Sequence, residues 1–172
     1  SASCLKLATD KATVTLGTDA GDDFVVTGSS ASNALVIEGE SGQVGIGCTD
    51  PADKLEISED GGSPRIYISN YDNTEALSGG LFFQKADGSR ASQTALDAEA
   101  VIGVIAAMGH DGGDLLTTGA KIEFKVADGV TPGSSQVPTN INLHTSHASG
   151  DSIAQKMTIL HNGNVGIGTA LP

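Results

Sequence analysis

GQVGIGCTDP at residues 42–51 and GNVGIGTALP at residues 163–172 are two copies of one motif, and its reading decides the fold. In each copy Val and Ile alternate with Gly, so Val44 and Ile46, like Val165 and Ile167, share one face of an extended strand. The other face carries Gly45, Gly47, Gly166 and Gly168. A strand face without side chains admits another backbone at close range, and ordering glycine is unfavourable unless something does approach. The motif therefore predicts strands packed closely against a further segment or a neighbouring chain.

Outward from each copy the pattern repeats. Leu35 and Ile37 alternate in ALVIEGESG, and Met157 and Ile159 alternate in KMTILHNG; each run is followed by a Gly-containing polar turn. Both copies read as β-hairpins, with Asn162-Gly163 as a tight turn of positive φ and Gly39 to Gly42 as a longer loop. After the first copy Leu55 and Ile57 continue the period of two in PADKLEI, whereas the second copy stops at Pro172. The broken repeat predicts a natural polypeptide that continues beyond Pro172.

Composition agrees with short strands. The chain has 23 Gly, no Trp and 3% aromatic residues, so the large rigid side chains that dominate compact cores are scarce. A formal net charge of -12, with nine Lys plus Arg, repels nucleic acid and anionic membrane surfaces alike. No run approaches the roughly 20 apolar residues of a membrane-spanning helix, and SASCLKLATD lacks a signal-peptide core, so no membrane insertion is expected. Cys4 and Cys48 are too few for a disulfide framework and are expected to be free thiols.

Together the motif copies, their hairpins and the terminal prolines resemble the modules of phage tail fibre proteins, where a strand such as MTILHNGNVGIGTALP closes a β-module and leads into KLE-type repeats. Residues 119–169, from GAKIEFKV to NVGIGT, are similar to the module that stands upstream of an endosialidase-type intramolecular chaperone domain in such fibres. With SGGLFFQKADG and the first VGIG copy the resemblance spans most of the chain beyond about Phe24. It implies homotrimers in which strands of three chains wrap about one axis. Cys48 stands where the second copy has Thr169, and the chaperone domain is absent from these residues, so no self-cleavage chemistry is assigned.

The expected fold is all-β: short strands and hairpins in intertwined trimeric fibre modules of β-prism or β-sandwich type. Two regions are expected, 1–60 ending in the VGIG/KLEI module and 61–172 ending in the second VGIG copy, with the boundary near Asp60. Strands are predicted at ATVTLG, DDFVVTG, ALVIEG, RIYISNYDN, LFFQKA, EAVIGVIAAM, AKIEFKVA, NINLHTS, KMTIL and NVGIG, and loops at ADGSRASQT, GHDGGDLLTTG and DGVTPGSSQVP. TALDAEAVIGVIAAMG also offers a helical face through Leu96, Val101, Ile105 and Met108, but Gly103 and the β-branched residues 101, 102, 104 and 105 favour a strand.

No constellation carries chemistry. Asp19, Asp22 and Asp23 offer the oxygen ligands calcium takes, but they match no EF-hand spacing and read as an acidic turn. His144 and His147 lie three apart and would point to opposite faces of a strand. His110 or His161 could gather as three copies on a trimer axis. His110, Asp111 and Asp114 read as a Gly-rich loop without a convergent nucleophile. No nucleophile elbow, phosphate loop or Cys-x-x-Cys is present. Phe24, Phe82, Phe83 and Phe124 are expected in core or interchain packing, which leaves Tyr71 as the loop-placed aromatic.

The resulting expectation is a structural, non-enzymatic component of a phage tail fibre or similar virion appendage, without catalytic, cofactor or metal residues. Its partners would be two further copies of itself, other virion proteins and a host surface glycan or protein. One alternative is a glycan-binding tip that uses loops such as Asn70 to Thr74. The other is a tail-spike polysaccharide depolymerase fragment, against which the length argues.

Overall fold

A computed structural model of the chain describes residues 24–26, 34–74, 76–110, 112–113, 117–133, 135–147 and 150–172. The fold is all-β, and no helix occurs among the described residues. The chain divides into two compact units, Ser1–Gly79 and Gly80–Pro172. The expected boundary near Asp60 lies inside the first of these, after its last strand.

In the first unit β1 (Phe24–Val26), β2 (Leu35–Ile37), β3 (Val44–Ile46) and β4 (Leu55–Ile57) form one sheet in chain order. β1, β2 and β3 are antiparallel, and β4 runs parallel to β3 with Val44 beside Leu55 and Ile46 beside Ile57. Parallel neighbours normally need a crossover of a dozen or more residues. Here residues 47–54 suffice because the strands are only three residues long.

The second unit holds the small hairpin of β5 (Asp87–Ser89) and β6 (Ser92–Thr94) and a five-stranded antiparallel meander. The meander runs through β7 (Val101–Gly109), β8 (Thr117–Val126), β9 (Thr139–His147), β10 (Gly150–Ile159) and β11 (Val165–Ile167). The β-branched run at 101–105 forms the expected strand. Gly103 within it makes room for the Phe83 ring, whose nearest atom would lie 2.5 Å from a Cβ at that position. Phe83 stacks on Phe124 with ring centroids 6.1 Å apart, which anchors residues 80–86 to the sheet.

Several local expectations are corrected. No strand lies between Ile57 and Asp87 among the described residues, so neither RIYISNYDN nor LFFQKA forms one. Alternating side chains define a face, but a strand exists only where a neighbouring backbone completes its ladder. Ile66 at 70% exposure and Phe82 at 90% have no such neighbour, and Phe82 is not core. ADGSRASQT, expected as a loop, instead forms the β5–β6 hairpin, closed by Arg90-Ala91, with Ser92 N donating to Ser89 Oγ at 3.2 Å. The strand expected at ATVTLG and the acidic turn of Asp19, Asp22 and Asp23 lie outside the described residues.

Besides Pro51 and Pro132, the buried apolar side chains among the described residues are Val36, Leu96, Val126 and Ala127. That is a thin core for two units, as the scarcity of large side chains predicted. The apolar faces of the sheets remain largely open to solvent.

Candidate interaction surface

Strand register sorts the second sheet into two faces. Across all five strands Ile105, Ile122, Leu143, Met157 and Ile167 align as one row, and Gly103, Phe124, Ile141, Ile159 and Val165 as the next. A third row of Ala107, Ala120, Thr145 and Ala154 is lower, because alanine projects less than isoleucine. The step between the low row and the first leaves an apolar depression of about 300 Å³ lined by Ile105, Ala120, Ile122, Leu143 and Thr145. Ile105 is 47% exposed and Ile167 80%. The first unit repeats the arrangement with a row of Phe24, Ile37, Val44 and Leu55, the last of them 57% exposed.

The opposite face of the second sheet is polar, yet it is the better buried. Thr158 is fully buried, and its Oγ1 donates to Asn142 Oδ1 at 2.8 Å. Asn142 also hydrogen-bonds the Glu123 carboxylate, which accepts from Lys121 Nζ at 2.6 Å. Burial works to raise the Glu123 carboxyl, but hydrogen bonds from Lys121 and Asn142 and the Lys121 and His144 charges outweigh it and hold it below the usual carboxylate range. His144 Nε2 lies 3.6 Å from Glu123 Oε1, shut off from water and without a hydrogen bond. Burial first, and then the Lys121 charge, push this imidazole down against the pull of Glu123.

Next to this network Asn140 Oδ1 accepts from His161 N at 2.9 Å. A cavity of about 360 Å³ opens there, lined by Asn140, Asn142, Gln155, Thr158 and Leu171 among others. Sequence alone offered a missed signal for the network: Lys121, Glu123 and Lys125 alternate with apolar residues, as do Asn140, Asn142 and His144. Such polar positions read as a solvent face until the register pairs them.

The two motif copies share one backbone design. The carbonyl of Cys48 lies 2.7 Å from where a Cβ on Gly45 would stand, and that of Thr169 lies 2.5 Å from the same point on Gly166. The segment that approaches the bare glycine face is thus the chain's own next turn. Gly47 and Gly168 both hold positive φ, at 81° and 73°, and start that turn. Across the strand, Val36 faces Gly45 and Thr158 faces Gly166, at 1% and 0% exposure. The hairpin loops differ in length. Residues 38–43 close with Gly42 N donating to Glu38 O, and residues 160–164 with Gly163 N donating to Leu160 O. Gly163 has positive φ and Asn162 does not, so the expected pair of positive angles is reduced to one.

The remaining sequence candidates do not converge. Asp19, Asp22, Asp23, Asp111, Asp114 and Cys4 lie outside the described residues. His144 is half-buried on β9, whereas His147 at its end is exposed. His110 Nδ1 accepts from Gly112 N at 2.8 Å. Cys48 is a free thiol whose pKa burial raises first, followed by the carboxylates of Glu56, Asp50 and Glu38. Tyr71 is 94% exposed. Among the described residues no three His, Cys, Asp or Glu side chains gather as metal ligands would.

No protein-family model and no curated protein matches the chain. Solved structures do. The carboxy-terminal domain of the bacteriophage T5 L-shaped tail fibre superposes with a TM-score of 0.66 at 16% identity, over 86% of this chain and 65% of that one. The same domain with its intramolecular chaperone domain gives a TM-score of 0.70 at 18% identity, over 86% of this chain and 45% of that one. The chain therefore spans less than two thirds of these tail-fibre chains. At such identities the likeness speaks for architecture: this chain has the all-β fold of a phage tail-fibre carboxy-terminal domain.

Proposed function

We propose that the chain is a structural, non-enzymatic module of a phage tail fibre that works as a homotrimer and supports host attachment from a virion appendage. The observation that carries this reading is the pair of apolar rows on the second sheet: the Phe83 ring covers Gly103 and Phe124, while Ile105, Val165 and Ile167 stay exposed on a chain whose own core is thin. Fully burying an exposed side chain such as Ile167 contributes about 1.5–3 kcal/mol, and the half-buried members of the rows contribute less. Three copies burying these rows against one another would supply the core that each lacks, coupling folding to assembly. Function would then reside in stiffness and in the presentation of neighbouring segments or virion proteins to the host receptor.

Light scattering combined with thermal melts over a dilution series tests this reading. The expected result is three times the 17.2 kDa chain mass and a melting temperature that rises with concentration. A stable monomer would remove the reading's physical basis. The glycan-binding alternative draws on one observation, the 94% exposure of Tyr71 in the segment where Asp72 Oδ1 accepts from Thr74 N at 2.6 Å. Binding on a glycan array that is lost in Tyr71→Ala would favour it.

A further inference from the structure

The buried polar network of the second sheet holds, besides its hydrogen bonds, the parts of a covalent reaction. Glu123 and Asn142 face one another across β8 and β9, and Lys121 lies two residues from Glu123 on the same side of β8. Lys121 and Asn142 are thus diagonal neighbours, a spacing that long side chains bridge. Both reach the same carboxylate: Lys121 Nζ donates to Glu123 Oε2 at 2.6 Å, and the Asn142 side-chain amide donates to Glu123 as well. With its nitrogen turned to Glu123, Asn142 presents Oδ1 to Thr158, whose Oγ1 donates at 2.8 Å. Glu123, Asn142 and Thr158 are buried, and a rotation within the Lys121 stem brings Nζ onto the Asn142 Cγ. An amine, an amide carbon, a carboxylate bonded to both nitrogens and a hydroxyl on the carbonyl oxygen therefore stand together.

We propose that Lys121 and Asn142 join through an intramolecular amide bond that the chain forms by itself, with Glu123 as acid–base catalyst and Thr158 holding the carbonyl oxygen. The Lys121 ammonium first gives one proton to Glu123. The Nζ lone pair then forms a bond to Cγ while the C=O π pair moves onto Oδ1, where the Thr158 hydroxyl stabilises it. Glu123 passes its proton to Nδ2, the Cγ–Nδ2 bond breaks as the C=O bond re-forms, and ammonia leaves. Nζ gives its surplus proton to the carboxylate, from which ammonia carries it off as ammonium; nothing is oxidised or reduced. The 360 Å³ cavity that Asn142 and Thr158 line is the exit. The depressed Glu123 pKa makes the first proton transfer uphill, so the bond forms slowly, which a step taken once per chain tolerates. The ion pair and pKa directions described above belong to the chain before this bond. Once formed, it ties β8 to β9 so that pulling them apart means breaking a covalent link. The argument is independent of the oligomeric state.

The test is the mass of the purified full chain, unfolded for the measurement so that assembly plays no part. It is followed over days in mildly alkaline solution, where more of the amine is neutral. The wild type should become lighter by one ammonia, and proteolysis should yield a branched peptide joining the segment around Lys121 to that around Asn142. Lys121→Arg and Glu123→Gln should each keep the full mass, with thermal melts to show that they fold. Thr158→Val should slow bond formation by about tenfold or more. A wild type that keeps its full mass overturns the proposal whatever the variants do. A loss that fragmentation places at Asn162, where attack by Gly163 N also expels ammonia, overturns it too. So does a branched peptide that forms undiminished in Glu123→Gln.

Discussion

The first VGIG copy is flanked by a parallel strand, β4, whereas the second forms the edge of its sheet among the described residues, and the contrast separates what the motif does by itself from what a neighbouring segment adds. Both copies fold their following turn over a glycine, both bury the residue opposite that glycine, and both leave their Val and Ile row open. Only the first adds a parallel strand. The hairpin and the return turn are therefore local products of Val-Gly-Ile-Gly. Coverage of the aliphatic row is not local, since even the completed copy leaves Leu55 at 57% exposure.

The largest expected effect breaks the open rows. Ile167→Asp puts a charge into the most exposed member of the five-residue row and should abolish the assembled mass in light scattering, because burying an unpaired carboxylate costs far more than one side chain contributes. Ile46→Asp is the matched change in the first copy. With 40% exposure against 80%, Ile46 leaves less area for a partner, so its variant should retain part of the assembly. An Ile167→Asp protein of full mass and undiminished melting temperature would exclude this face as an interface.

Next in size is a pair of glycine substitutions. Gly47→Ala and Gly168→Ala share the strain of a positive φ, about 1–2 kcal/mol. Only at Gly47 does the added methyl meet a backbone carbonyl, that of Ser58. Forcing that contact adds about 1–3 kcal/mol. Urea unfolding should show the first variant clearly less stable than the second; equal losses would mean that β4 yields without penalty.

The motif's hairpins and apolar rows were legible in the sequence because a period of two survives any packing environment. The turn that covers each glycine was not, since Cys48 and Thr169 approach through their carbonyls and carbonyls are the same in every residue. Ile66 and Ile68 show the converse: their alternation looks like a strand, but pairing is a property of two segments and the sequence displays one at a time. Asp87 to Thr94 pairs through polar and small residues, whose weak strand preference hid the hairpin. The candidate surface was legible as a face and illegible as an open one, because exposure of Ile105 and Ile167 depends on what the rest of the chain fails to bring there.

A smaller effect exchanges the residues that face the glycines. Thr158→Val gives the second copy the side chain of the first and leaves the buried Asn142 Oδ1 without its donor, for about 1–3 kcal/mol. Val36→Thr makes the reverse change and buries a hydroxyl in the row of Val25, Val36, Gly45 and Glu56, for about 1–3 kcal/mol. Denaturant midpoints should therefore fall for both variants, and an unchanged midpoint for Thr158→Val would mean that the Asn142 oxygen finds another donor.

Acid should separate the two units most gently, because the buried polar face of the second carries Glu123 and His144. Both folded-state pKa values are depressed. For His144 the unfolded chain takes up its proton first, so stability is full above the ordinary 6.5 and is lost as pH falls from there through the folded value. Glu123 follows with the same sign: its contribution is present above the ordinary 4.5 and is lost as pH falls through its lower folded value. The protection factor of the Ile122 amide, with the intrinsic pH dependence of exchange divided out, should fall in two stages on acidification. His144→Gln should remove the first stage, which opens as pH falls below the ordinary 6.5, and leave a second stage from Glu123. If the variant keeps both stages, the imidazole is not what the buried face releases first, and the group responsible must be sought elsewhere on β8 to β10.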